Sequence, residues 1–282
     1  MSALPTALIA YPAIDPVLVR LGPFSIRWYG LAYVLGFLGA GILIYLLSKR
    51  WKLGLSGDDV VLVLLYAIIG VIIGARLGYV LVYGAGQYWS SPAKILAVWD
   101  GGMSFHGGLV GILVAGWFAA RSLKMPYLTL CDIGAVGAPI GFLFGRLGNF
   151  VNGELWGRTT TVAWGIVFPG AGSLPRHPSQ LYEAFLEGAV LLTIMIVLAL
   201  KLPPRPRGEL LGWLITLYGT FRIAAEFFRE PDVQLGFLVR ITGAAGGVTM
   251  GQLLSVPMLV LGVWLIWRAR KLDEPELGPG SR

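Results

Sequence analysis

The stretch GRLGNFVNGELWGR, from Gly145 to Arg158, sets two arginines, a glutamate and two asparagines among glycines and large apolar side chains. It follows GAVGAPIGFLF, which carries no charge. Arg146 and Asn149 are three residues apart, so on a helix they are neighbours. Arg222, Glu226 and Arg229 fall at i, i+4 and i+7 and share one helical face; a structural Arg222–Glu226 ion pair is the plain alternative. A guanidinium is a planar fork that matches phosphate oxygens and stays charged when partly desolvated. Grouped arginines in an apolar chain therefore point to a phospholipid headgroup. His106, in SFHGGLVG, is one of two histidines, and its neutral imidazole could act as a base near pH 7 or simply cap a helix.

The 282 residues are 56% hydrophobic and 13% charged, with a mean hydropathy of +0.74, so these groups must be held by membrane-spanning elements. About seven spans are expected: Ile26 to Leu47, Val60 to Tyr83, Phe105 to Ala120, Thr129 to Arg146, Tyr182 to Leu200, Leu210 to Phe228 and Thr249 to Trp267. Asp132 and Pro139 interrupt the fourth. The short connections SKRWK, Arg121 with Lys124, KLPPRPRG and WRARK are basic, which puts them in the cytoplasm and the N-terminus outside. Arg76, His106, Arg146, Glu183, Glu187, Arg222 and Glu226 then all lie toward the outer ends of their spans. A charge at the bilayer centre costs about 2.5 to 3.5 kcal/mol or more, so such residues are paired, hydrated or functional.

Gly70, Gly74 and Gly78, and again Gly137, Gly141 and Gly145, step by four and are read as close-packing stripes. Residues 150–178 turn polar and aromatic and are expected to form a small extracytoplasmic head on a single transmembrane domain, with TVAWGIVF as a short strand. The N-terminus lacks a signal-peptide pattern and is expected to be a short tail. The single cysteine, Cys131, excludes an internal disulfide and a thiolate metal cage. The net charge of +7 is assigned to basic loops facing anionic membrane lipids, with no nucleic acid as a partner.

GRLGNFVNGELWGR is similar to the signature of the phosphatidylglycerol–prolipoprotein diacylglyceryl transferase family. RWYGLAY, HGGLVG, RHPSQLYE, FRIAAEFFREPD and MGQLLS resemble its other blocks, in the same order. The resemblance runs from about Ile26 to Ser255 and leaves Arg240 without a role. It implies an all-α polytopic membrane protein of about seven helices with a periplasmic head, in the bacterial inner membrane. The implied reaction moves the diacylglyceryl unit of phosphatidylglycerol onto the lipobox cysteine of a prolipoprotein, without a cofactor. Family functional positions fall on Tyr29, His106, Arg146, Asn149, Glu154, Gly157, Arg222, Glu226 and Arg229.

On that reading His106 is the base, Tyr29 orients it or relays the proton, and Arg146 and Arg222 stabilise the leaving phosphate. Glu226 holds Arg222, Asn149 adds a hydrogen bond, and Arg229 completes the substrate-binding set. Glu154 and Gly157, with Arg158, are expected to shape the head over the substrate, and His177 to cap the fifth helix. Two other functions remain open from residues alone. An intramembrane serine protease could use Ser104, and a phospholipid transporter or flippase could use the arginines. One-sided charges and the lack of an internal repeat disfavour the transporter.

Overall fold

The protein is described by a computed structural model covering residues 9–12, 14–22, 24–84, 86, 88, 91–201, 206–231, 236–240 and 247–276. Helices occupy every expected span. They are α1 (Trp28–Arg50), α2 (Gly57–Tyr83), α3 (Phe105–Ser122), α4 (Tyr127–Val151), α5 (Ser179–Glu183) continuing through a π-helical turn (Ala184–Val190) into α6 (Leu191–Lys201), α7 (Glu209–Glu226) and α8 (Met250–Leu272). Five of these stretches among the described residues are long and apolar enough to cross a membrane: α1, α2, α4, the α5–α6 run and α8. The other two, α3 and α7, have 18 residues each, and α7 carries Glu209, Arg222 and Glu226. The molecule is a helical membrane protein.

The described residues fall into two compact units, one from Met1–Leu43 with Gly134–Glu274 and the other from Ile44–Ile133 with Pro275–Arg282. In the second unit α2 and α3 pack through glycines. A Cβ on Gly70 would lie 2.5 Å from the Ala115 Cβ, one on Gly74 2.6 Å from the Gly111 Cα, and one on Gly78 2.7 Å from the Gly107 Cα. The stripe is thus a backbone contact. In the first unit only part of the second stripe does this work: Gly137 faces Ala40 and a Cβ on Gly36 would lie 3.3 Å from the Gly141 Cα, while nothing lies within 4 Å of a Cβ on Gly141 or Gly145.

Helix α4 runs unbroken through Asp132 and Pro139 and continues to Val151, five residues beyond the expected end. Arg146 and Asn149 therefore lie on one helix, as their spacing required. Ser56 and Asp59 form a reciprocal capping box that starts α2.

From Ile9 onward the described N-terminal residues are not a free tail. Strand β1 (Ile9–Ala10) pairs in parallel with β4 (Ile166–Val167), inside the stretch expected to be a strand. Strands β2 (Val17–Leu21) and β3 (Phe24–Arg27) form an antiparallel pair leading into α1. The Tyr11 hydroxyl reaches the Phe150 and Val151 carbonyls, both at 2.7 Å, at the end of α4, where the Phe150 carbonyl also accepts from the Gly153 amide at 2.9 Å. Its ring also packs against Phe150 and Phe168. A third pair, β5 (Val239–Arg240) with β6 (Gly247–Val248), precedes α8.

Candidate functional site

Helices α4, α5 and α7 and the π-helical turn bring their ionisable residues to one point in the first unit. Arg146 Nη2 lies 2.7 Å from Glu183 Oε2 and 3.5 Å from Glu187 Oε2. Arg222 Nη1 lies 2.9 Å from the same Glu183 oxygen and 3.6 Å from Glu187 Oε1, and its Nη2 bonds Glu226 Oε1. Arg229 Nη1 reaches that Glu226 oxygen at 3.2 Å. The three glutamates are 0 to 1% exposed, whereas Arg146 keeps 20% of its side chain open. Three guanidiniums face three carboxylates, so the cluster is electrically balanced. Buried charges are tolerated only in such pairing.

Within this balance the arginines are not equivalent. Arg222 spends both terminal nitrogens on carboxylates. Arg146 spends only Nη2, leaving Nε and Nη1 without a hydrogen bond among the described residues. Arg146 is thus the group able to offer a partly exposed donor edge to an anion.

The first turn of α8 closes the cluster. Thr249 caps that helix by accepting from the Gln252 amide, and its hydroxyl donates to Glu226 Oε2 at 2.8 Å. Gly251 is needed beside it, because a Cβ there would lie 2.6 Å from Glu226 Oε1. Arg158 ties residues 150–178 to the end of α7 through the Arg229 carbonyl at 2.9 Å and the Glu226 carbonyl at 3.1 Å.

The remaining expected residues take no part in this ion-pair cluster. Tyr29 packs on α4, where a Cβ on Gly148 would sit 2.9 Å from its ring, and its hydroxyl is 3.0 Å from that of Tyr33. Asn149, 9% exposed, donates to Glu154 Oε1 at 2.8 Å, and Asn152 reaches the same oxygen at 3.2 Å. The Glu154 carbonyl in turn accepts from Gln180 Nε2 at 2.6 Å. Gly157 donates its amide to the His177 carbonyl at 2.9 Å and forms an isolated bridge with Arg229. His106 belongs to the second unit, exposed on the first turn of α3 with its ring edge-on to Phe105.

One expectation changes, and the rival reading that used Ser104 loses its nucleophile. His177 does not cap α5, which has no side-chain cap; its Nδ1 is 3.2 Å from the Tyr182 hydroxyl and its ring is edge-on to Phe228. Burial, then the Arg158 charge, lowers its pKa below the usual histidine value. Ser104 is not presented as a nucleophile, since it is 7% exposed and its oxygen accepts from the Gly107 amide as the α3 cap. In QLGFLVRITGAAGG, residues 234–235 and 241–246 lie outside the described residues, and Arg240 stands opposite Gly247 in the β5–β6 pair.

Glu183 and Glu187 are the functional candidates that the site reading missed. They were legible as polar residues opening a span, but their role as shared counter-ions depends on a register that no local pattern gives.

Residues 16–268 match the family described as Prolipoprotein diacylglyceryl transferase. A Geobacter sulfurreducens relative is 53% identical over 253 residues, covering 90% of this chain and 94% of its own. One from Oleidesulfovibrio alaskensis is 49% identical, covering 95% and 97%, and one from Rhodospirillum rubrum is 48% identical, covering 97% and 98%. All three are named phosphatidylglycerol–prolipoprotein diacylglyceryl transferase. With the arginine–glutamate cluster built from the signature blocks and a match of this extent, the chain belongs to the prolipoprotein diacylglyceryl transferase family.

Proposed function

We propose that this protein transfers the diacylglyceryl group of phosphatidylglycerol to the lipobox cysteine thiol of a prolipoprotein, at the periplasmic leaflet of the bacterial inner membrane. The carbon–sulfur bond forms as the bond between that glycerol carbon and the phosphate oxygen breaks. The thiol proton passes to a base, and glycerol phosphate leaves. The carrying observation is the convergence of Arg146 and Arg222 on Glu183, with two Arg146 nitrogens uncommitted.

The chemistry follows from charge. As the carbon–oxygen bond breaks, a phosphodiester monoanion becomes a monoester with more negative charge, so donors fixed at its oxygens favour the transition state over the substrate. Arg146 makes that contact, and Glu183 and Glu226 hold Arg222 beside it. Asn149 and Glu154 set the link between α4 and the head, Gly157 and Arg229 the link between the head and α7. A peptide thiol with a pKa near 8.5 is only a few per cent ionised at pH 7, which costs about 2 kcal/mol. His106, an exposed imidazole, is the base that offsets this, with Tyr29 beside the α4 end of the site.

Seven membrane helices with an outward N-terminus and a periplasmic head over 150–178 complete the reading. The basic last turns of α1 (Lys49, Arg50), α3 (Arg121) and α8 (Arg270, Lys271) support that orientation. The test is to incubate purified protein with phosphatidylglycerol and a lipobox peptide. A peptide mass increased by one thioether-linked diacylglyceryl group is the expected result. Exchange of labelled lipid across vesicles with no peptide adduct overturns the reading in favour of a transporter.

A further inference from the structure

Arg76 takes no part in the cluster above, yet it is only 5% exposed on the apolar helix α2. Snorkelling does not describe it, because a snorkelling arginine keeps its head in water. Its guanidinium instead donates to backbone carbonyls: Nε to Ile95 at 2.8 Å, Nη2 to Lys94 at 2.5 Å, and Nη1 to Gly101 at 2.5 Å and Gly102 at 3.1 Å. The Tyr88 ring lies 5.4 Å from it. Lys94 and Ile95 sit in one short 3-10 turn (Pro92–Leu96), and Gly101 and Gly102 follow another (Val98–Asp100); the Lys94 carbonyl also accepts from the Ala97 amide at 3.2 Å. A cation is stabilised there without a carboxylate.

What these bonds fix is the approach to His106. Gly101 and Gly102 turn the chain with φ of 81° and 72°, values that L side chains rarely adopt. The Ser104 amide then donates to the Ala75 carbonyl at 2.9 Å, next to Arg76, and the Ser104 hydroxyl accepts from the Gly107 amide at 3.2 Å. Gly107 itself lies against Gly78. Residues 101, 102, 104 and 107 are thus anchored to α2 while the His106 ring stays exposed.

We propose that Arg76 is the positioning residue for His106, a backbone clamp that sets the start of α3 so that the imidazole meets the substrate thiol. The proposal rests on the reading of His106 as the base. It requires an arginine, because a lysine ammonium is a point charge and cannot reach both carbonyl pairs at once.

The test compares Arg76→Lys, Gly102→Ala and His106→Gln, with the double variant Arg76→Lys/His106→Gln, on full-length protein. Gly102→Ala leaves Arg76 in place but puts a Cβ 2.9 Å from its Nη1 and 2.6 Å from the Tyr79 ring, so it displaces the clamped loop if the arginine variant fails to fold. Two readouts are taken: diacylglyceryl transfer from pH 6 to 9, and amide hydrogen exchange at residues 104–108. A well-placed base contributes about 10²-fold or more. Arg76→Lys is therefore expected to lose at least about tenfold at pH 7 and to recover toward pH 9, where the thiol ionises unaided. Exchange at 104–108 should accelerate, and the double variant should be no slower than His106→Gln.

Unchanged exchange in both clamp variants overturns the proposal. So does a loss that is equal at every pH and multiplies with that of His106→Gln, which is the behaviour of a purely structural staple. If His106→Gln keeps full turnover at pH 7, the base reading fails instead, and the exchange readout alone then decides whether Arg76 sets the start of α3.

Discussion

Arg146 and Arg222 pair with the same carboxylate oxygen, Glu183 Oε2, at 2.7 and 2.9 Å. Two like charges this close are held by the anion between them, and Glu183 is fully buried. Removing one partner of a buried ionic set leaves uncompensated charge at a cost of about 3 to 5 kcal/mol. Glu183→Gln is therefore expected to lower the melting temperature in detergent far more than Glu230→Gln. The latter breaks the Arg176–Glu230 pair at 3.0 Å, where the glutamate is 45% exposed and the pair contributes about 1 kcal/mol or less. Equal melting shifts for the two variants would show that the shared carboxylate is not the hub of the cluster.

Arg146→Ala separates chemistry from folding. Glu183 and Glu187 keep Arg222 as a partner and Arg146 is the more exposed member of the set, so the variant should lose less stability than Glu183→Gln and remain folded, but the uncommitted donor edge is gone. Removing one donor to a developing oxyanion lowers turnover by about 10² to 10³. Arg146→Lys should recover little of this, since one ammonium cannot both pair with the glutamates and reach the phosphate. The peptide adduct measured by mass spectrometry checks both variants, and half of normal transfer by folded Arg146→Ala would remove this arginine from the mechanism.

Which parts of this arrangement could be read from the chain depends on the range of the interactions. The helices follow from apolar length, and the Arg222–Glu226 contact follows from i, i+4 spacing. Arg146 and Asn149 share α4 as expected, but Asn149 turns to Glu154, a local bond that the spacing did not specify. The counter-ions of Arg146 lie 37 and 41 residues away, on a stretch whose π-helical turn no periodicity announces. The N-terminal strand was missed for the same reason: Ile9 pairs with Ile166, and nothing local to either residue encodes the match.

Gly157, a family functional position expected to shape the head over the substrate, has surroundings that give it a steric role. A Cβ there would lie 2.6 Å from the His177 carbonyl oxygen and also collide with the Phe228 carbonyl. Backbone cannot yield as a flexible side chain can, so Gly157→Ala must part the segments that Arg158 and Arg176 hold together. The expected outcome is loss of transfer with protease cleavage newly exposed within 150–178. An active, protease-resistant Gly157→Ala protein would show that the close approach is dispensable.

His177 gives the head a pH dependence whose sign can be derived. Burial first, and the Arg158 charge second, lower its pKa from the ordinary 6.5. The Tyr182 oxygen accepts from Trp164 Nε1 at 2.6 Å and lies 3.2 Å from the imidazole Nδ1. Above about pH 6.5 the folded and unfolded states are both neutral at this position and it confers no pH dependence. As pH falls below that value the unfolded chain takes up a proton that the folded head resists, so stability declines with falling pH. The effect is modest because His177 is only partly buried. His177→Gln removes the titration, so the melting temperature of the native protein relative to the variant should drop between pH 8 and pH 5. A difference that stays constant, or that grows in favour of the native protein at pH 5, would mean that the folded head binds the proton as readily as the unfolded chain.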